Sequence, residues 1–161
     1  MEAIAFDTRI GICTLTWSAE KITSLSLPQV HSTDADEAER GEALPAFVSN
    51  AIGDVRELLK GERRELLEIP VSIDALPAFT RRVLEQCRRI RWGQVQTYGE
   101  VAAACGKPRG AQAVGQALGR NPIALIIPCH RVVAAGNSLG GFSAPGGTQT
   151  KKLLLGLEQA L

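Results

Sequence analysis

Apolar positions along the chain change their period between segments. In residues 3–6, 11–17 and 22–27, apolar and β-branched residues crowd into short runs separated by hairpin-like breaks, which predicts three short strands. Residues 33–41 are acidic and poor in large apolar groups, the composition of a loop or of a solvated helix start. Phe47, Ala51, Val55, Leu58 and Leu59 then recur at helical spacing, with Gly61 as a stop. Residues 66–73 have the composition to return as a strand. This stretch reads as a small α/β unit without a visible catalytic set, closing at Leu76 and Pro77.

Beyond that boundary the period is helical. Phe79, Val83, Leu84, Cys87 and Ile90 line one face of a helix, and Arg81, Arg82, Arg88 and Arg89 occupy the other, which predicts a solvated basic surface. A short helix follows from Thr97, a candidate N-cap, to Gly106. Lys107, Pro108 and Arg109 turn the chain into a second helix, about 110–119, built largely from Ala111, Ala113, Gly115, Ala117 and Gly119. Two short helices joined by a tight turn outline a helix-turn-helix. Glycine weakens a helix, so the small second helix implies close approach to another surface, either a core helix or a nucleic-acid groove. Residues 123–127 are continuously apolar and predict a strand buried on both faces.

Composition narrows the class. The chain has 161 residues, 45% hydrophobic and 22% charged, which suits one ordinary domain or two small ones. No apolar run approaches the roughly 18 residues of a membrane span. Four widely spaced cysteines without a CxxC pair, and only two histidines, argue against a disulfide framework or a zinc site. Cys13 and His31 alone make no metal site, so a core cysteine and a surface histidine are expected. The net charge of +1 conceals a division. Residues 1–76 hold 7 Lys+Arg against 14 Asp+Glu, whereas residues 77–161 hold 11 against 3. Such asymmetry suggests two units, the second facing a polyanion or docking on the acidic first.

The candidate chemistry lies where the apolar run ends, in Pro128-Cys129-His130-Arg131. A thiolate is the nucleophile, and it needs a base or a positive field nearby. Adjacent residues of an extended chain point to opposite sides. His130 therefore reaches Cys129 only through a local turn or a bridging water, and Glu158, one of three carboxylates after residue 76, is the candidate to orient the imidazole. A buried cysteine beside a surface histidine remains the alternative.

Residues 127–132, Ile-Pro-Cys-His-Arg-Val, resemble the active-site signature of the O6-alkylguanine-DNA alkyltransferases, also called methylated-DNA–protein-cysteine methyltransferases. The resemblance covers about residues 77–160. It includes Tyr98, Ala113-Val114-Gly115, Asn121-Pro122 and Gly141-Phe142-Ser143. It implies an α/β plus α architecture. A small ribonuclease-H-like α/β domain over residues 1–76 carries no catalytic residues, and a mostly helical winged helix-turn-helix domain over 77–161 binds DNA and accepts the alkyl group. The implied partner is double-stranded DNA containing O6-alkylguanine, met by a monomer in the cytoplasm or nucleoid, with no cofactor, metal or membrane.

The same resemblance implies roles. The second helix enters the minor groove through Gln112, Ala113 and Gly115, with Arg109 and Arg131 as further DNA contacts. The damaged guanine is rotated into a pocket. Tyr98 crowds the adjacent phosphate and protonates the departing base, while Cys129, activated through water by His130 and Glu158, attacks the alkyl carbon. Asn121 links the recognition helix to the reactive turn. Carbonyls of Cys129 and Val132 accept from the guanine amino group, the Ser143 amide faces O6, and Phe142 forms a wall. Gln112 stands where the family usually carries an arginine that fills the gap left by the flipped base, and Phe142 where a tyrosine is common. The loop 144–147 is slightly longer than in some relatives. The same residues admit two rival activities: a sensor that binds alkylated bases without repairing them, and a Cys-His-Glu thiol hydrolase.

Overall fold

The computed structural model describes residues 1–28, 43–142, 144 and 146–160. The acidic segment 33–41, His31 and Ser143 lie outside them. Strands β1 (Glu2–Thr8), β2 (Gly11–Ser18) and β3 (Lys21–Ser26) form an antiparallel sheet in sequential order. Alternation sets the inward face of β1 and β2, where Ile4, Phe6, Cys13, Leu15 and Trp17 are buried, and a register shift at Thr16/Trp17 lets Ile22 and Leu25, three apart on β3, both be buried as well. Helix α1 (Ala46–Leu59) supplies Val48, Ala51, Ile52, Val55, Leu58 and Leu59 to the same core. It stops at Lys60, before Gly61 at φ +90°, in line with the expected glycine stop.

The strand expected at 66–73 does not form. It shrinks to one parallel bridge, in which Ile22 N–H donates to Pro70 O and Ser72 N–H donates to Ile22 O. Its remaining carbonyls are satisfied differently. Helix α2 (Ala78–Arg88) ends in Arg88, whose Nη2 donates to Leu66, Leu67 and Ile69 O at 3.1, 2.9 and 2.9 Å. Arg88 is thus half-buried, not part of a solvated basic face, because an irregular segment leaves carbonyls that only a long donor reaches.

The second half is built around two short helices. Strand β4 (Gln96–Thr97) runs into α3 (Tyr98–Ala104), and Thr97 caps it as its residue type predicts: its hydroxyl accepts from Glu100 N–H, and Glu100 reaches back to Thr97 N–H. After a turn over which Lys107 sits 4.4 Å from the Phe79 ring comes α4 (Ala111–Leu118). Its buried face is Val114, Ala117 and Leu118, packed toward α2 and α3. The opposite face, with Gln112 and Gln116, is exposed. A Cβ added at Gly115 would meet only Tyr98 Cε1, at an ordinary 3.9 Å. Among the described residues only the Tyr98 side chain of α3 comes near that glycine, and not close enough to require it, while Gln112 and Gln116 beside it stay open to the outside.

Residues 123–127 are buried as expected but do not form a strand. Only Ile123 bridges to Leu25, and the rest folds into turns with Leu125 at φ +66°. Strand β5 (Val132–Val133) pairs in parallel with β4, and α5 (Gly147–Leu157) closes the chain against α1 and the cysteine turn. Buried apolar side chains from both halves join in one core. Among the described residues no helix is long and apolar enough to cross a membrane.

Arg88→Ala removes a charged donor from three carbonyls. Charge-assisted bonds contribute about 1.5–3 kcal/mol, so the urea midpoint should fall by the equivalent of about 2 kcal/mol with an unchanged slope. An unchanged midpoint would show that water replaces the contact at no cost.

Candidate active site

A buried apolar loop leaves backbone groups to satisfy, and Asn121 does much of this. Its Oδ1 accepts from Ile123 N–H at 2.9 Å and its Nδ2 donates to Ile127 O at 2.9 Å, so one amide brackets the whole run. The next bond tightens the exit: Cys129 N–H donates to Ile127 O around Pro128 at φ −81°, ψ 65°, an inverse γ-turn. Cys129–Arg131 then form one 3-10 turn, closed by Arg131 N–H to Pro128 O. A local turn is therefore present, but it does not bring the two side chains into hydrogen-bond contact with each other.

Behind the turn lies a buried ionic cluster. Glu158, 2% exposed, accepts from Arg131 Nε at 2.9 Å and from Arg131 Nη2 at 2.8 Å, and meets His130 Nε2 at 2.9 Å. Arg131 also donates from Nη1 to Ile90 O at 2.6 Å. Burial would raise the Glu158 pKa, but hydrogen bonds from His130 and Arg131 and their charge hold it down to about 2. Burial lowers the His130 pKa, with Arg131 and Lys151 opposing its protonation as well, although Glu158 pulls the other way. The ring is neutral at pH 7. Because the ionised carboxylate only accepts, Nε2 carries the hydrogen and Nδ1 presents its lone pair. Nδ1 is buried with no hydrogen-bond partner among the described residues.

Cys129 faces a cavity of about 640 Å³ whose walls include Tyr98, Gln112, Gly115, Gln116 and Phe142. Burial raises the thiol pKa, while the Asn121 amide, the Lys151 ammonium and nearby backbone N–H groups pull it down. At rest the group is a thiol. Tyr98 donates to Gly141 O at 3.2 Å, and its own pKa is raised by burial and by Cys129, so its hydroxyl keeps its proton. Its position is fixed from one side: a Cβ at Gly140 (φ +71°) would lie 2.7 Å from the Tyr98 hydroxyl.

A family model described as 6-O-methylguanine DNA methyltransferase, DNA binding domain, matches residues 78–160, which contain every residue of this site. The chain belongs to that family. It is 35% identical over 155 residues to the methylated-DNA–protein-cysteine methyltransferase of Mycobacterium bovis, covering 96% of this chain and 90% of that protein. With the namesake protein of Metallosphaera sedula it shares 46% over 103 residues, covering 63% of this chain and 62% of that one. The crystal structure of Mycobacterium tuberculosis OGT in complex with DNA superposes with a TM-score of 0.79 at 31% identity, covering 98% of this chain and 93% of that one. The shared architecture is a two-part fold, a small sheet with a helix followed by a helical part.

The structure gathers most of the residues singled out in the sequence, and corrects others. Cys129, Tyr98, Gln112, Gly115 and Phe142 surround one cavity, with His130, Glu158 and Asn121 behind and below it. Arg131, expected to contact DNA, is 4% exposed and committed to Glu158, because that buried carboxylate needs a bidentate cation. Val132 O already accepts from Lys151 Nζ at 2.6 Å, leaving one lone pair for a ligand. Arg109 is exposed on the α3–α4 turn, in a separate depression with Lys107, Pro108 and Gly110, and Ala113 is half-buried outside the cavity wall.

Sequence reading missed Lys151. Fully buried on α5, its Nζ also donates to Gly141 O at 3.0 Å and to the Tyr98 hydroxyl at 3.4 Å, and burial lowers its pKa to about 8 despite the pull of Cys129 and Cys87. A signal was present: Lys151 shares helical spacing with Leu154, Leu155 and Glu158, so it stands on the apolar stripe of that helix.

Glu158→Gln keeps the shape but leaves the Arg131 cation buried without its counter-charge. It should cost about 3–5 kcal/mol, read from urea unfolding at pH 7. In the unaltered chain the Glu158 contribution is complete above its ordinary value of 4.5 and fades as pH falls toward about 2. The variant should lack that part of the acid sensitivity, and equal acid profiles would contradict the ionic assignment.

Proposed function

We propose that this chain repairs DNA by direct reversal, moving the alkyl group from O6 of a guanine in duplex DNA onto Cys129 Sγ, once per molecule. The observation that carries this reading is a thiol on the wall of a cavity that also borders the open face of α4, backed by a neutral histidine bound to an ionised carboxylate. In this reading residues 1–76 form the ribonuclease-H-like part and residues 77–161 a winged helix-turn-helix. The protein acts as a monomer on O6-alkylguanine, where DNA is kept, in the cytoplasm or nucleoid.

The residues divide the chemistry. The Cys129 proton passes through one water to His130 Nδ1, which no side chain among the described residues occupies, and Glu158 stabilises the imidazolium that forms. Sulfur attacks the alkyl carbon in line as the carbon–O6 bond breaks, and the electron pair of that bond stays on the guanine. Tyr98 gives its proton to the departing base and is reprotonated from solvent, while the imidazolium returns its proton to solvent. The net change moves one alkyl group from oxygen to sulfur and one proton from thiol to guanine. Lys151 holds the Val132 and Gly141 carbonyls and the Tyr98 hydroxyl in register, and its charge favours the thiolate as it develops. A thioether is a poor leaving group, so the protein is consumed.

Mixing the protein with a duplex containing O6-methylguanine should raise its intact mass by one methyl group. Cys129→Ser should abolish that gain while still retarding DNA. No mass gain in the unaltered protein, with DNA still bound, would make it a sensor. An alkyl group mapped to Cys13, Cys87 or Cys105 would move the acceptor elsewhere.

A flipped guanine leaves a hole that must be filled. Gln112 is exposed on α4 at the cavity edge, and glutamine is shorter than arginine and uncharged. A side-chain contact to a base is worth about 1–3 kcal/mol, so Gln112→Arg should raise the duplex repair rate by about tenfold relative to the rate with free O6-benzylguanine, which needs no flipping. A ratio unchanged or lowered in single-turnover measurements would mean that Gln112 is not the residue filling the hole.

A further inference from the structure

The exposed face of α4 carries a second amide that no role above uses. Gln116 lies one turn beyond Gln112, so both point the same way, about 6 Å apart along the axis. Both are exposed and line the cavity that Cys129 faces, and neither side chain has a hydrogen-bond partner among the described residues. Between them stands Gly115, at an ordinary helical φ, where a Cβ would be accommodated at 3.9 Å from Tyr98. Nothing among the described residues requires glycine there, although it weakens the helix by about 1 kcal/mol. The face is shaped for a surface that comes close to the helix backbone.

Charge on this helix is confined to its ends. Arg109 precedes α4 and Arg120 follows it, both exposed, whereas the exposed positions between them are uncharged. Cations at the ends suit phosphates. Neutral amides in the middle suit base edges, because an amide offers one donor group and one acceptor and gains little from phosphate charge. In a minor groove every base pair presents acceptors, but only G·C presents a donor, the guanine 2-amino group.

We infer that Gln116 is a specificity-determining residue that reads the guanine 2-amino group of a base pair close to the lesion, giving repair a preference for G·C at that position. Its carboxamide oxygen accepts from that group, and its NH2 donates to a neighbouring base acceptor. With base pairs 3.4 Å apart, its distance from Gln112 puts the pair it reads within one or two steps of the damaged guanine. The inference rests on the proposed alkyl transfer from duplex DNA, with α4 set in the minor groove.

The test uses the full-length protein and a set of duplexes containing O6-methylguanine. Inosine replaces guanine, one position at a time, in the two base pairs on either side of the lesion. Inosine pairs with cytosine and lacks only the 2-amino group. Single-turnover transfer to Cys129 is measured for the unaltered protein, for Gln116→Ala and for Gln116→Met, which keeps the length of the side chain without its hydrogen bonds. One hydrogen bond of this kind is worth roughly two- to tenfold in rate. The unaltered protein should slow by about that factor at one position, and both variants should give equal rates on guanine and inosine there. A variant that keeps the full inosine sensitivity overturns the inference. So does an unaltered protein that repairs every duplex at one rate, although that result leaves the proposed function standing. Absence of transfer on every duplex overturns both. Position 116 is exposed and alanine favours helix, so the ratio of rates within each variant reports reading rather than folding, and thermal midpoints check the fold.

Discussion

A carboxylate buried to 2% exposure is tolerable only if its charge is met on several sides, and the C-terminal half is organised around meeting it. Glu158 follows the last turn of α5, Arg131 and His130 stand on the cysteine turn, and the Arg131 guanidinium reaches on to Ile90 O beyond α2. Three segments distant in sequence are thus fixed relative to one another by one cluster. The same carboxylate fixes the histidine tautomer, so the structural anchor and the proposed base meet at one atom, Glu158 Oε1.

The sequence made the regular elements legible wherever side-chain period and cap chemistry agreed. The buried positions of β1 and β2 alternate, and Thr97 with Glu100 marks the start of α3. It was less informative where a continuous apolar run met a polar bracket. Residues 123–127 have the composition of a buried strand, and burial was read correctly, but the two hydrogen bonds of Asn121 replace a sheet partner and let the run fold into turns. The expected strand at 66–73 failed for a related reason, because Arg88 satisfies carbonyls that would otherwise need a ladder.

The candidate residues of the site were legible through one dense motif, and their surroundings were not. A local pattern names Cys129 and His130, but the partner of Arg131 depends on a carboxylate 27 residues away. Charge counting places Arg131, Arg88 and Lys151 in a basic half that faces a polyanion or docks on the acidic half. The structure turns Arg131 and Lys151 fully inward and Arg88 partly so, leaving residues such as Arg109 and Arg120 on the surface. A sum over a segment cannot separate cations that hold carbonyls and carboxylates from cations that meet a ligand.

The resting thiol of Cys129 has a consequence for how long the molecule remains useful. Under the proposed reaction each molecule reacts only once, and it is lost to any stray electrophile or oxidant that reaches its sulfur first. Nucleophilicity resides in the thiolate, and burial keeps Cys129 protonated until a base withdraws the proton. The other three cysteines are buried as well, with raised pKa values. Small peroxides and alkyl halides in the surrounding medium therefore meet four quiet sulfurs, and the single reactive equivalent keeps its shelf life until the right molecule enters the cavity.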